Sequence, residues 1–402
     1  MENETAVVPR YPFGKEHRLE LEPEIAAIRA EGKLVRVEMP VGGEVWLATR
    51  YDDIRTVLAD PRFSRALANE PGRPSLSSES LPAGSISALD APDHTRVKRV
   101  AAGAFTARRI RDLADRTGEV TAGLLDDLRA AGGPADFIAT VSRPLPRIMI
   151  CEMLGVPAGE RAYFERLLSD LRSWQAPLDA LADRRSAIER FIGELIEEKR
   201  REPGDDLLSV YAEAAAQGRL SDDELLNLGV ALLAGGTGTP TDFLTGAVYV
   251  LLTRPDKYRA LCADRTLIPA AVEELLRYIP IGTAGGKVRV ATEDVELGGV
   301  TVRAGEAVLP AMGSGNHDER VFENPGELDF GRGKNPHLGF GHGAHHCVGA
   351  QLARLEMRVT IEALVERFPD LRLAVRPEEL DWLTGEVVRG LRALPVTWGA
   401  TE

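Results

Sequence analysis

The chain has 402 residues, 44% of them hydrophobic, which is enough for a large core and, by length alone, for two or three domains. Its formal net charge of -13 makes nucleic acid a poor partner, and three scattered cysteines, Cys151, Cys262 and Cys347, are too few for a disulfide framework. The polar start Met1-Glu2-Asn3-Glu4-Thr5 has no apolar signal core, and no apolar run is long enough to span a bilayer, so the expected setting is the cytoplasm, without a membrane.

No linker or internal repeat divides the chain, so residues 1–402 read as one domain. Apolar and polar residues alternate over 34–38 and 44–48, which predicts a hairpin about Gly42-Gly43. Residues 51–58 predict a short helix ending before Pro61. Residues 65–90 are rich in Ser, Pro and Gly and read as a long loop, a feature that is usually functional or disordered. A basic helical run follows at 94–99. Apolar residues then recur three and four apart over 108–128, 137–154 and 186–199, with breaks at Pro157, Pro177 and Pro203-Gly204; Trp174 falls in one break region.

Ser221 and Glu224 form a capping box. The helix they start would reach Thr253, about 50 Å at 1.5 Å per residue. Its middle, Ala234-Gly235-Gly236-Thr237-Gly238-Thr239-Pro240, opposes a helix, since Gly costs about 1 kcal/mol and Pro about 3 kcal/mol in the interior. Pro240 also lacks the N–H that the Gly236 carbonyl would accept from. This stretch is either a functional groove or a plain join between two helices. Further on, Glu274 and Arg277 pair at i and i+3 of a helix, 288–291 is strand-like, and 294–300 predicts a hairpin.

The most informative run is Phe340-Gly341-His342-Gly343-Ala344-His345-His346-Cys347-Val348-Gly349. A cysteine ends a glycine-broken loop and an amphipathic helix begins directly after it. The helix dipole and nearby amides favour a thiolate there. Such a thiolate can serve as a nucleophile, a zinc ligand or an axial haem ligand. His342, His345, His346 and Cys347 could ligate zinc, but they lack the paired Cys-x-x-Cys or His-x-x-x-His spacing. Glycines at 341, 343 and 349 suit a flat group lying over the sulfur.

This run resembles the haem-thiolate signature of the cytochrome P-450 family, Phe-Gly-x-Gly-x-His-x-Cys-x-Gly, at every fixed position. The resemblance implies a mainly helical α+β fold, with a large helical part and a smaller β-rich part. It implies haem b buried between the long central helix and the cysteine-loop helix. It implies Cys347 as iron ligand and His94, Lys98, Arg289, Phe340, Gly341, His345 and Gly349 as haem contacts, with Lys98 standing where arginine is usual. The oxygen-activating groove falls on Gly235, Gly236, Thr237, Gly238 and Thr239; Thr239 matches the oxygen-binding threonine, and Gly238 replaces the usual acid. Glu274 and Arg277 match a buried structural pair whose third, basic partner is replaced at its expected position by Glu327. Thr237, Ile281, Thr283 and Val387 are candidate substrate contacts, the last at the tip of the C-terminal hairpin, and the loop at 65–90 and the Trp174 region are expected over the pocket.

By the same resemblance the chain is expected to be an oxidoreductase that activates dioxygen to hydroxylate or epoxidise a small molecule, a bacterial secondary metabolite. The alternative is oxidative C–C or C–N coupling of an aromatic substrate such as a cyclic dipeptide, which the missing acid at 238 favours. No reductase domain is present. Electrons from NAD(P)H are therefore expected through a ferredoxin or flavodoxin and its reductase, attracted by Arg96, Arg99, Lys334, Arg354 and Arg358. A non-catalytic haem sensor would share Cys347 but need no groove, and a zinc protein would be colourless.

Overall fold

The computed structural model describes residues 8–13, 18–76, 81–82, 84–160, 178–280, 282, 286–383 and 388–399. Its helices are α1 (Pro23–Glu31), α2 (Tyr51–Ala59), α3 (Asp93–Ala104), α4 (Ala107–Ala131), α5 (Pro144–Leu154), α6 (Leu178–Arg201), α7 (Leu207–Ala216), α8 (Asp222–Gly235), α9 (Gly238–Leu252), α10 (Pro255–Ala263), α11 (Ile268–Tyr278), α12 (Met312–Gly315) and α13 (Ala350–Arg367). The strands are β1 (Val35–Glu38), β2 (Glu44–Ala48), β3 (Phe63–Ser64), β4 (Ala135–Asp136), β5 (Arg289–Ala291), β6 (Val295–Leu297), β7 (Val300–Val302), β8 (Ala307–Pro310), β9 (Arg372–Leu373) and β10 (Pro395–Thr397). The larger sheet has the order β1-β2-β8-β5-β3; β4-β10-β9 and β6-β7 form two smaller ones.

The hairpin expected about Gly42-Gly43 forms with Val35 opposite Leu47, and both glycines take positive φ. The region 137–154 begins with a π-turn over Ile138–Ser142, and the α-helix proper starts at Pro144, where a missing N–H is harmless. In the C-terminal hairpin the tip, including Val387, lies outside the described residues, as do Ile281, Thr283 and Trp174. Its base is described: Trp382 bridges Leu391, and Gly282 bridges Val388.

Helix α13 ties two helical cores together. Met357, Ile361 and Leu364 pack with α9, α10 and α11, whereas Leu352 and Leu355 pack with α3, α5, α7 and α8. Its far end is fastened to α4: Arg367 Nη1 donates to the Ala122 carbonyl at 2.8 Å, and Arg129 Nη2 to the Arg367 carbonyl at 2.7 Å. The start of α13, and with it the cysteine loop, is therefore placed by both cores.

The loop is also held from α11. Arg277 and Glu274 are 0% and 1% exposed and share a fork of hydrogen bonds at 2.9 and 2.7 Å. Arg277 further donates to the carbonyls of Asn316, Pro325 and Glu327. The third partner is Arg332, whose Nε lies 3.0 Å from Glu274, with Asn335 adding a bond at 3.2 Å. Glu327 supplies only its backbone, so the network is completed five residues beyond the expected position. Burial pushes the Glu274 carboxyl up, but Arg277, the Asp329 amide and Arg332 outweigh it and hold the group ionised below its usual range.

Removing one partner from such a buried network strands charge. Arg332→Ala should cost about 1.5–3 kcal/mol in urea unfolding, the scale of hydrogen bonds to a charged group. Glu327→Gln should stay within about 0.5 kcal/mol. Equal effects of the two would contradict this assignment.

Candidate functional site

The loop before α13 turns on two glycines. Gly341 and Gly343 have φ of 75° and 70°. A Cβ on Gly343 would lie 2.5 Å from the Leu58 carbonyl, so only glycine passes there. The Cys347 amide donates to the Phe340 carbonyl at 2.9 Å, and Gly341 N to the Leu338 carbonyl at 2.9 Å, closing the loop on itself. Arg354 lies 4.6 Å over the Phe340 ring. Cys347 is the exposed cysteine; Cys151 is buried and Cys262 half-buried. Burial pushes its thiol up, against the Gly349 amide, Lys98 and Arg354, which pull it down; burial wins. The polypeptide alone thus favours the thiol, not the thiolate expected from the helix start. A coordinated metal ion deprotonates such a thiol outright.

The histidines of the loop do not converge. His345 stacks on His94, centroids 3.9 Å apart, while His342 Nε2 meets Arg55 at 3.4 Å. Among the described residues no three His, Cys, Asp or Glu side chains form a metal-holding group, which removes the zinc cluster as a reading.

Around the stacked imidazoles lies a set of cations. Arg289 is buried and donates to the carbonyls of Lys287 and Val288. Arg65 is buried beside it, with Nη1 on the Val288 carbonyl at 2.6 Å and Nε on Ser87 at 3.0 Å. Burial, then Arg65, push Arg289 down to about 9, and burial pushes Arg65 down to about 10. Burial, then His94 and Arg289, push His345 down to about 3, so its imidazole is neutral. Lys98 donates its ammonium to the His346 carbonyl and sits within electrostatic reach of both Cys347 and His94. The carboxylate acting on the group is Asp90. Its oxygens already accept from Ser64 Oγ and from the amides of Arg65 and Ala66. Arg65 was not legible in the sequence, because it sits in the featureless loop.

The central helix is broken, but not at the proline. Helix α8 stops at Gly235 and α9 starts at Gly238, with Gly236 and Thr237 as the turn. Pro240 is the third residue of α9, in the first turn, where a missing N–H costs nothing. Gly236 is packed on α5: a Cβ there would be 2.6 Å from Ile150. Gly235 and Gly238 face open space, with nothing within 4 Å of an added Cβ. Thr239 and Gly235 are exposed although most of α9 is buried. Thr237, a candidate substrate contact, is instead buried, its hydroxyl donating to the Leu233 and Ala234 carbonyls. Below it Thr241 and Thr245 repeat the pattern, and Thr245 meets Ser142 at 2.7 Å.

Of the cations expected to attract an electron donor, Arg96 is held by Glu224 and Asp93, and Arg354 by Glu273 at 2.6 and 2.9 Å. Arg99, Lys334 and Arg358 are exposed.

These residues fit an iron porphyrin. The donor set offers one accessible sulfur at a glycine loop. Arginine and neutral imidazole side chains crowd about a single, already satisfied carboxylate, as two ring carboxylates would require. Open space lies over Gly235, Gly238 and Gly349, where a Cβ would intrude on a flat ring.

One more acid lies nearby on α13. Glu356 is wholly buried and its Oε1 has no partner; the hydroxyls of Thr360, one turn on, and Thr121 of α4 are likewise unpaired. Burial pushes the Glu356 carboxyl up to about 8. A raised value means that the folded chain prefers the protonated form. The stability it carries is complete below the ordinary carboxylate value and is lost as pH rises to about 8. Glu356→Gln should therefore gain on the native chain by about 1.4 kcal/mol per pH unit between pH 5 and 8. A difference independent of pH would contradict a neutral Glu356.

Comparison with known proteins agrees with this geometry. The family model described as Cytochrome P450 matches residues 167–378. Nocardicin C N-oxygenase of Nocardia uniformis subsp. tsuyamanensis is 46% identical over 96% of this chain and 98% of its own length. Mycinamicin IV hydroxylase/epoxidase of Micromonospora griseorubida is 41% identical, covering 98% and 100%. The crystal structure of HinD with NMFT and NO superposes with a TM-score of 0.92 at 44% identity, covering 98% of this chain and 100% of that one. The chain belongs to the cytochrome P450 family, whose enzymes carry haem b and use dioxygen with NAD(P)H-derived electrons, delivered in bacterial members of this type by a ferredoxin and its reductase.

Proposed function

We propose that residues 1–402 form a single cytoplasmic mono-oxygenase domain that inserts oxygen into a secondary metabolite, at nitrogen or carbon, with Cys347 as the iron ligand. The observation that carries the ligand assignment is the accessible Cys347 sulfur at the end of a loop that only glycine at 343 allows. Among the described residues no helix is long and apolar enough to cross a membrane, which agrees with that setting. Relatives named as an N-oxygenase and a hydroxylase/epoxidase support oxygen insertion over coupling.

Bound haem supplies the activation of dioxygen, and a thiolate ligand favours O–O cleavage. The chain's own residues do the rest. Arg65, Arg289, His94 and His345 hold the carboxylate edge, Lys98 braces the cysteine loop, and Phe340, Gly341 and Gly349 shape the face about the sulfur. Gly235 and Gly238 keep the groove free of side chains, and Gly236 lets α8 approach α5. Thr239 presents an exposed hydroxyl there and can donate or pass on a proton. Position 238 has no acid to supply one. Protons then reach the groove through water or through an N–H or O–H of the substrate, and an amine substrate would serve both as proton source and as the atom oxidised. Ile281, Thr283 and Val387 complete the proposed substrate contacts.

Two measurements test this reading. Cys347→His should replace the red-shifted Soret band of the reduced carbon monoxide complex by one at the position typical of imidazole ligation; an unchanged band would exclude Cys347. Turnover under ¹⁸O₂ of a substrate found by spin-state screening should give a product carrying one labelled atom. A major product that is coupled and unlabelled would restore the alternative.

A further inference from the structure

A buried acid stands one helical turn beyond the empty position 238. Asp242 is the fifth residue of α9 and is 4% exposed. At 3.6 residues per turn it lies about 40° from Gly238 and about 60° from Thr239 around the helix axis, between the two. Residues three and four apart on a helix have Cβ atoms about 5–6 Å from each other, so Asp242 neighbours both positions. Its side chain leans toward the helix start, over the turn that contains them. In that turn the structure leaves room: no atom lies within 4 Å of a Cβ placed on Gly238, and Thr239 is exposed. Leu244, on the opposite side of α9, packs with Leu145 and Met149 of α5. Asp242 therefore faces away from α5.

The other hydroxyls of this stretch are committed. Those of Thr237, Thr241 and Thr245 donate to helix carbonyls one turn back. In the first two turns of α9 the groups left to exchange a proton are the Thr239 hydroxyl and the Asp242 carboxyl. Asp242 is not a stranded charge, since it takes part in a hydrogen-bonding or electrostatic contact of its own. The open space over Gly238 offers a water a place between carboxyl and hydroxyl, with polar partners on both sides.

We propose that Asp242 is the acid of the groove, moved by one helical turn, and that it supplies protons through water to the Thr239 hydroxyl. This rests on the mono-oxygenase reading given above and adds the proton source that position 238 lacks. Insertion of one oxygen atom into the substrate releases the other as water. Each turnover therefore takes up two electrons and two protons, drawn from NAD(P)H and the medium. The Thr239 oxygen accepts a proton from the water as it gives up its own. The water is resupplied by the Asp242 carboxyl, and the carboxylate is reprotonated from solvent, so no group of the chain is consumed. Asp242 acts through water and Thr239, which makes it a positioning residue for the proton.

The haem-loaded enzyme tests this with two variants. Asp242→Asn keeps the shape and removes the acid; adding Gly238→Asp to it puts an acid one turn earlier. The first readout needs no turnover. In the ferrous carbon monoxide complex the infrared C–O stretch senses charge and hydrogen bonds in the groove, and Asp242→Asn should move it while the red-shifted Soret band stays. The second readout is turnover of a substrate found by spin-state screening. In Asp242→Asn kcat should fall about 10²-fold, and its solvent deuterium isotope effect should rise because proton transfer becomes limiting. The dissociation constant read from the spin shift should stay within about twofold, and Gly238→Asp should recover about tenfold or more of the lost kcat. An unmoved infrared band would overturn the proposal, as would a kcat within about twofold of the unaltered enzyme. A fall in kcat with an unchanged isotope effect and no recovery on adding Gly238→Asp would also overturn it and leave Asp242 a structural role. The infrared result is independent of whether the product carries oxygen, whereas an unlabelled product under ¹⁸O₂ would count against the mono-oxygenase reading itself.

Discussion

The position of one sulfur atom is the constraint on which the rest depends. It is set by three independent restraints that meet at residues 340–349. The loop's own amides close on Phe340 and Leu338. Helix α13 behind it is gripped by two cores. The buried fork of Glu274 and Arg277, completed by Arg332 and Asn335, pins the segment that leads in. A buried ion pair of this kind contributes little net stability compared with apolar packing. What it supplies here is geometry, because Arg277 ties three carbonyls of an otherwise irregular segment to a helix.

The two sides of the site are built on different principles. On the cysteine side, hydrogen bonds and glycine turns fix the backbone, and charge is balanced within the protein, as in the pairing of Arg354 with Glu273. On the edge formed by Arg65, Lys287, Arg289 and the two stacked histidines, the basic groups outnumber the carboxylate that acts on them, Asp90. Burial lowers the affinity of each of these groups for a proton, which is the electrostatic sign of a place prepared for anions. The groove side is lined by glycines and hydroxyls. Its hydroxyls at 237, 241 and 245 are bonded to helix carbonyls one turn back, and the exposed hydroxyl is Thr239.

What was legible in the sequence follows from how local each feature is. The hairpin about Gly42-Gly43, the capping box of Ser221 and Glu224, and the cysteine loop are set by residues within ten positions of one another, and all three form as expected. The helix break was legible in kind but not in place. Pro240 attracts attention, yet as an early residue of α9 it is compatible with helix, and the turn falls on Gly236 and Thr237 instead. Arg332 was missed because an ion pair 58 residues distant in sequence leaves no spacing to read. Arg65 and Glu356 were missed for a related reason, since a charged residue declares itself only when tertiary packing buries it. At Cys347 the helix-start amide pulls the thiol down as expected, and burial, which the helix-start reading does not count, pushes it up.

The central claim is that iron binds the sulfur of Cys347, and the bond itself can be observed. Resonance Raman spectra of the ferric substrate-bound enzyme, prepared with natural and ³⁴S-labelled cysteine, should contain an iron–sulfur stretch that moves to lower frequency with the heavier isotope. The band should be absent from Cys347→Ser and retained in Cys151→Ser and Cys262→Ser. An isotope-sensitive band that survives Cys347→Ser, or that disappears with either of the other two cysteines, would contradict the account.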